Sequence, residues 1–414
     1  MAKKISIPQS LKILFLTQVL PYPLDAGPKI RAYYVLRHLA QKHAVTLVSF
    51  VRSSDTPQAI AHLKQFCERV ITVPMPRSLW RDGLALLRSL LTGTPFLITR
   101  DWVPKMAFAI KNAIRHSPFA IVHADQLWMA PYAMGGQPSA VSGQQAKLVL
   151  DQHNAVHLIP KRMAADTHNP LKKLILNRET RLMARYESRI CQQFDHVVWV
   201  TDEDRKVVTH HPSFATRHSP LATRHSIIPI CYSPEEVVPI KPLTTQPNLL
   251  FLGGMHWPPN AEGIRWFVEE IWPRVRAQRP EARLLVVGKS PPSEIAGVEG
   301  VSAPGYVDDV VPFWWDSRFF IVPLRAGGGM RVKIIDAWAR GLPVVSTTIG
   351  AEGIAYRDGQ DILIADAPAA FADAIIRVLK NDTLAQKLAK AGRRTVMEKY
   401  NWKSIYQAWD EIYP

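Results

Sequence analysis

Short apolar runs rich in β-branched and aromatic residues alternate along the whole chain with segments whose apolar positions recur at helical spacing. In the first half the runs fall at residues 13–16, 45–50, 70–73, 120–122, 148–150 and 197–200. In the second half they fall at 249–252, 284–287, 319–322, 344–347 and 362–364. Strands that alternate with helices in this way build βαβ units, so the pattern predicts an α/β fold of two Rossmann-like domains, each with a doubly wound parallel sheet. Ligands of such sheets bind beyond the carboxyl ends of the strands.

The first domain is expected over 1–205, ending after the strand HVVWVT, where Thr201 and Asp204 predict a capping box for the next helix. The second is expected over 228–395. A helical tail at 396–414, containing YNWKSIYQAWDEIY, is expected to pack back on the first domain. The connection at 206–227 reads as a low-complexity loop, because ATRHS occurs at 215–219 and again at 222–226. Its histidines are too irregularly spaced to suggest a metal site.

Composition narrows this picture without changing it. A 414-residue chain with 47% hydrophobic and 21% charged residues suits a two-domain globular protein. Cys67, Cys191 and Cys231 form no C-x-x-C pair, which excludes a disulfide framework and fits a reducing cytoplasm. No apolar run approaches the ~20 residues that cross a bilayer. The basic-then-apolar N-terminus could pass for a signal peptide, but residues 12–17 read better as a buried strand, so a cytoplasmic location is expected.

The net charge of +16 favours an anionic partner. Nucleic acid is not expected, since no recognition helix, zinc finger or aromatic sheet motif is present. The segment SLWRDGLALLRSLLTG sets Leu79, Trp80, Leu84, Leu86, Leu87, Leu90 and Leu91 among Arg77, Arg81 and Arg88. Such a helix can lie on an anionic membrane surface, making the protein peripheral at the inner face, or can pack on its own sheet; both readings stand here.

The candidate chemistry concentrates in FFIVPLRAGGGMRVKIIDAWARGLPVVSTTIGAEGI. A buried strand runs into Gly327, Gly328 and Gly329, and a helix is predicted to begin near Met330. Glycines let a backbone approach phosphate closely, and a helix N-terminus supplies positive potential. Arg331 and Lys333 add charge, and Asp336 shares a helix face with Lys333, where a carboxylate can accept ribose hydroxyls. Together these groups suit a nucleotide diphosphate.

This segment resembles the donor-binding region of retaining GT-B glycosyltransferases, family 4 (group 1). NLLFLGGMHWPPNAEGIRWFVEEIWP, ARLLVVGKSP and GYVDDVVPFW resemble the same family, as do GPKIRAYYVLRHLA, FAIVHADQ, LVLDQHNAV and YESRICQQFDHVVWVTDEDR in the first half. The resemblance implies that a nucleotide-sugar donor lies in a cleft between two Rossmann-like domains. Lys333 and Arg331 would hold its diphosphate, and Asp336 would take the place of the carboxylate, usually Glu, that binds ribose. The family often has a Glu eight positions earlier, where this chain has Gly328. Glu352 would contact a hydroxyl. In the first domain, Gly27 in the loop formed by Asp25 to Lys29 would face the donor, and His153 would contact its sugar, with His123 a weaker candidate.

The implied reaction is hexosyl transfer to a saccharide or lipid-linked acceptor with retention, in cell-surface polysaccharide assembly. Its transition state would be oxocarbenium-like, with charge building on the departing phosphate. No bound metal or other cofactor is expected. Two alternatives stay open: a nucleotide-sugar epimerase of the same fold, and a catalytically weak carbohydrate-binding protein.

Overall fold

The structure, a computed structural model, describes residues 10–135, 146–214, 223–240 and 246–414. It divides into two compact units: Met1–Cys231 with Trp402–Pro414, and Tyr232–Asn401. Each is built on one parallel sheet, as the alternating pattern predicts.

The first unit contains strands β1 (Lys12–Thr17), β2 (Ala44–Val51), β3 (Arg69–Pro74), β4 (Ile121–Asp125), β5 (Lys147–Gln152), β6 (His196–Trp199) and β7 (Arg224–Ile227). Their order in the sheet is β3-β2-β1-β4-β5-β6-β7. β1 and β5 are buried almost throughout because helices cover both faces of a parallel sheet. One apolar core joins Leu14, Leu16, Val48, Leu150, Val197 and Trp199 to Met106, Ile110 and Met183.

The second unit contains β8 (Asn248–Leu252), β9 (Arg283–Val287), β10 (Val301–Gly305), β11 (Phe319–Val322), β12 (Val344–Ser346) and β13 (Leu363–Ile364), ordered β10-β9-β8-β11-β12-β13. Its core packs Phe251, Ile264, Phe267, Trp272 and Phe371 around Val286 and Ile321.

Two strands escape the sequence pattern. β7 lies inside the expected loop at 206–227 and includes the last three residues of the second ATRHS, Arg224, His225 and Ser226, so that segment is not a loop throughout; residues 215–222 lie outside the described residues. His225 accepts a 3.0 Å hydrogen bond from the Trp199 indole, and His196 shares a 2.9 Å bond with Ser226. β10 (VSAPG) was not marked by an apolar run. Both are edge strands, which need fewer apolar positions than strands inside a sheet. The helix after β6 also reaches further, over Asp202–Thr209. Thr201 caps it by accepting from the Asp204 N–H at 3.1 Å. The Asp204 carboxylate does not close a capping box on the Thr201 N–H; it accepts from the Thr201 hydroxyl at 2.7 Å and from the Ala155 N–H at 2.8 Å.

The boundary between the units falls at Cys231/Tyr232, and the tail segment grouped with the first unit begins at Trp402, leaving residues 396–401 in the second. The tail is one helical turn, Trp402–Ile405, followed by a 3-10 helix, Tyr406–Glu411.

Candidate functional site

In the second unit the strand order reverses between β8 and β11, which opens a crevice beyond their carboxyl ends. Two loops border it: residues 253–257, leading into helix Pro258–Trp266, and residues 323–331, leading into helix Val332–Ala339. Glycine lets the helix Pro258–Trp266 approach the second loop, since a Cβ on Gly263 would lie 2.5 Å from the Pro323 carbonyl oxygen.

Gly327 and Gly329 have φ of +129° and +74°, conformations that L side chains avoid. A Cβ on Gly327 would also lie 2.7 Å from the Arg331 guanidinium. The glycine run thus makes room for an arginine of its own loop. Arg331 is buried, donates from Nη1 to the Gly328 carbonyl at 2.7 Å, and brings Nη2 within 3.9 Å of the Glu352 carboxylate. Thr347 fixes the turn that precedes Glu352: it donates to the Leu324 carbonyl and accepts from the Gly350 N–H at 2.7 Å.

The helix begins at Val332, two residues later than predicted, so Met330 and Arg331 belong to the loop and Lys333 to the first turn. Lys333 Nζ donates to Asn260 Oδ1 at 3.1 Å and sits 4.7 Å from the Phe251 ring centre. Burial lowers its pKa to about 7, and the neighbouring Arg331 charge lowers it further. Its partners are a neutral amide and a ring face. Asp336 is turned elsewhere: one carboxylate oxygen accepts from the Tyr232 hydroxyl at 3.0 Å and from Arg340 Nε at 3.1 Å. Burial raises its pKa against the pull of Arg340 and Tyr232. A carboxylate has about four acceptor positions, so capacity for ribose remains.

The first unit has its own switch point between β1 and β4. Gly27 is not in a loop: with Pro28 and Lys29 it forms the first turn of helix Gly27–Leu39, where proline's missing N–H costs nothing. Lys29 pairs with Asp25 at 3.0 Å. One turn on, Arg31 is fully buried and grips Asp151 with two bonds, Nε at 2.9 Å and Nη2 at 3.0 Å. Burial works to raise the Asp151 pKa, yet Arg31 and His153 outweigh it and hold the carboxyl below its ordinary value.

His153 Nε2 is 2.9 Å from Asp125 Oδ1, while its Nδ1 is buried with no hydrogen-bond partner among the described residues. Burial raises the Asp125 pKa, and His153 pulls it back. The loop carrying His153 is clamped from below by the buried Glu187 carboxylate. It accepts from the N–H groups of Val156 (2.6 Å) and His157 (3.1 Å) and from the Gln152 amide (2.9 Å). Gln126 at the end of β4 has φ +71°, an unusual conformation next to Asp125. His123 is wholly buried in mid-strand, with Nδ1 2.6 Å from the Tyr413 hydroxyl, and burial lowers its pKa to about 3. It is a neutral interior histidine, poorly placed to meet a substrate.

His123, Asp125 and Asp151 bring potential metal ligands within 4.8 Å of one another. The double grip of Arg31 on Asp151 puts a permanent cation at that point, so the donor set fits a hydrogen-bond network better than a metal ion. The chain's Asp-x-Asp, Asp202 and Asp204, is likewise engaged. Asp202 pairs with Arg205 and Lys206, and Asp204 holds the cap described above.

Sequence reasoning missed Asn260, Tyr232, Arg31, Asp125 and Asp151. Asp151 had a signal, a carboxylate closing the apolar run LVLD. Arg31 had one too, a charge among the apolar residues of GPKIRAYYVL. Asn260 and Tyr232 had none.

Comparison with known proteins agrees with this architecture. Solved GT-B glycosyltransferases share the two-sheet fold: Anabaena Alr3699/HepE in complex with UDP and glucose superposes with a TM-score of 0.65 over 97% of this chain and 99% of that one, at 13% identity. Residues 246–381, about a third of the chain, match the family model described as "Glycosyl transferases group 1". A Klebsiella pneumoniae "Uncharacterized 44.6 kDa protein in cps region" is 29% identical over 174 residues, 39% of this chain and 44% of the relative. The Mycobacterium tuberculosis phosphatidyl-myo-inositol mannosyltransferase is 28% identical over 179 residues, 40% of this chain and 46% of the relative. The chain thus matches less than half the length of these curated relatives.

Proposed function

We propose that the protein is a glycosyltransferase that moves a hexosyl group from a nucleotide-diphosphate sugar to a saccharide or lipid-linked acceptor, with retention, in cell-surface polysaccharide assembly. The observation that carries this proposal is Lys333. Its ammonium is buried beside Arg331, its pKa is lowered to about 7, and its hydrogen-bond partner is an uncharged amide. A cation held at that cost suits a site completed by an anion, and perturbed groups in a crevice mark functional sites. The match of residues 246–381 and the UDP-bound fold relative favour a nucleotide diphosphate as that anion.

In the proposed reaction the bond between the sugar's anomeric carbon and the phosphate oxygen breaks, and its electron pair leaves with the phosphate. The acceptor hydroxyl oxygen forms the new bond to the anomeric carbon and passes its proton to the departing phosphate. Lys333, Arg331 and the N–H groups of Gly328 and Gly329 stabilise the departing charge; Asp336 and Glu352 take hydroxyls of the donor. These two cations supply the neutralisation, so no metal is invoked. His153 Nδ1 offers an acceptor to a sugar hydroxyl when the proton of the Asp125 pair rests on Nε2. The proposed setting is the cytoplasm.

Calorimetry with UDP-, GDP-, ADP- and dTDP-sugars, with and without divalent metal, identifies the donor. Product NMR with an acceptor then reads the anomeric configuration. Donor interconversion without acceptor would mean an epimerase, and binding without turnover a carbohydrate-binding protein.

A further inference from the structure

Helix Leu79–Thr92 of the first unit buries only Ala85 and Ser89. Its leucines and tryptophan point the other way: Leu79 is 91% exposed, Trp80 77% and Leu91 79%, with Leu84, Leu86, Leu87 and Leu90 about half exposed. Trp80, Leu84, Leu87 and Leu91 recur at i, i+4, i+7 and i+11, one continuous stripe, and Leu79, Leu86 and Leu90 form the stripe beside it. Packing on its own sheet is therefore not what this apolar face does. The helix is nonetheless firmly built. Ser78 caps it, Gly93 ends it in a left-handed turn, and Arg178 holds its buried edge with bonds to the Ser89 hydroxyl (3.2 Å) and carbonyl (2.8 Å).

Arg178 belongs to helix Pro170–Cys191, whose first turns repeat the anomaly. Leu171, Leu174 and Ile175 are all more than half exposed, at i, i+3 and i+4. Basic side chains accompany both stripes: Arg81 and Arg88 on the first helix, Lys172, Lys173 and Arg181 on the second. Asp82 is the sole acid of the first helix, and Glu179 of the second helix is spent accepting from the N–H groups of Phe96 (3.1 Å) and Leu97 (3.2 Å).

We propose that these two helices form a docking surface for an anionic lipid bilayer, with the apolar stripes in the acyl boundary and the basic residues at the headgroups. Large exposed apolar patches mark interaction sites, and this one combines leucines, an exposed tryptophan and a basic border, the composition of an interfacial helix. Charge decides against a second copy of the chain. A two-fold pairing through this face would set its own basic residues against themselves, which is repulsive. Among the described residues no helix is long and apolar enough to cross a membrane, so the surface provides contact without insertion across it. The surface is independent of the donor site, and its test does not depend on catalysis.

Sedimentation of the full chain with vesicles of phosphatidylcholine alone or with phosphatidylglycerol is the direct measurement. Binding is expected to the anionic vesicles and to weaken with salt. Arg81→Ala with Arg88→Ala should weaken it roughly thirtyfold, at ~1 kcal/mol for each basic residue near the surface. Leu87→Asp should abolish binding to the anionic vesicles, and Leu91→Asp serves as a second variant should the first disturb folding. Because Cys67, Cys191 and Cys231 are buried, a dye on Leu91→Cys reports the patch selectively, and its emission should shift blue on anionic vesicles. A protein that stays in the supernatant with anionic vesicles at low salt overturns the proposal. So does a dimer in light scattering that Leu87→Asp dissociates, which would make a second copy the occupant.

Discussion

The two parallel sheets carry polar centres at equivalent places, beyond the strands where the order reverses, yet their charges are handled in opposite ways. In the first unit Arg31 and Asp151 are both fully buried and satisfy one another through two bonds, with Tyr406 and the Pro229 carbonyl taking the guanidinium's remaining donor group. In the second, Lys333 is buried beside another cation, and the partners it meets among the described residues, an amide oxygen and a ring face, are uncharged. The ion pair of the first centre is satisfied without a ligand. The second carries an electrostatic cost that an anion would relieve. The same topology thus holds one charge matched and the other unmatched.

Removing a partner from each centre should separate these roles. The largest effect is expected at Arg31→Ala, which strands a buried Asp151 carboxylate and should cost about 3–5 kcal/mol of unfolding free energy in denaturant titration. A loss under ~1 kcal/mol would show that the pair is dispensable.

Lys333→Ala should behave in the reverse manner. Turnover should fall by about 2–4 kcal/mol in barrier, roughly 30- to 1,000-fold, while the fold is unharmed. Lys333→Met should stabilise the fold. The sign follows from the lowered pKa: between about 7 and the ordinary 10.5 the unfolded chain binds more protons, so the native protein gains stability as pH rises through that window. Unfolding measured across it should show that slope in the natural chain and lack it in Lys333→Met. For the same reason, a nucleotide sugar bound at pH 8 should draw a proton from buffer, detectable by calorimetry in buffers of different ionisation enthalpy. Binding with no uptake would place the anion away from Lys333.

Asp336→Ala should weaken binding of the free nucleoside diphosphate by about 1.5 kcal/mol, with Asp336→Glu retaining it. Unchanged affinity would mean that the ribose is held elsewhere. The smallest effect is expected at His225→Ala, which leaves the Trp199 indole without its acceptor and should cost ~1 kcal/mol of stability.

Much of this molecule could be read from its sequence, and the exceptions have physical reasons. Interior strands such as β1 and β8 announce themselves because both faces are covered. β7 (RHSI) and β10 (VSAPG) sit at sheet edges and carry no such signal. The glycine run and the charges of Arg331 and Lys333 were legible because they follow an apolar strand and precede a helical pattern within one short segment. Asn260 and Tyr232 were not, since each reaches its partner across 73 and 104 residues of chain. Gly27 was misplaced because Pro28 looks like a turn signal and is equally a helix start. The helix at Leu79–Thr92 left two readings open, and its exposed leucines decide against packing on the sheet.

One consequence of the tail concerns the order of events at the ribosome. Tyr406, Trp409 and Tyr413 close the polar centre of the first unit: Tyr406 and Trp409 flank the Arg31 guanidinium, and Tyr413 meets His123. These residues emerge only after all of Tyr232–Asn401 has been synthesised. Until then the Arg31–Asp151 pair lacks its aromatic cover, and the first half of the chain cannot reach its final packing. The N-terminal unit is thus the last to be finished, and a C-terminal truncation would be felt first some 370 residues away, at helix Gly27–Leu39.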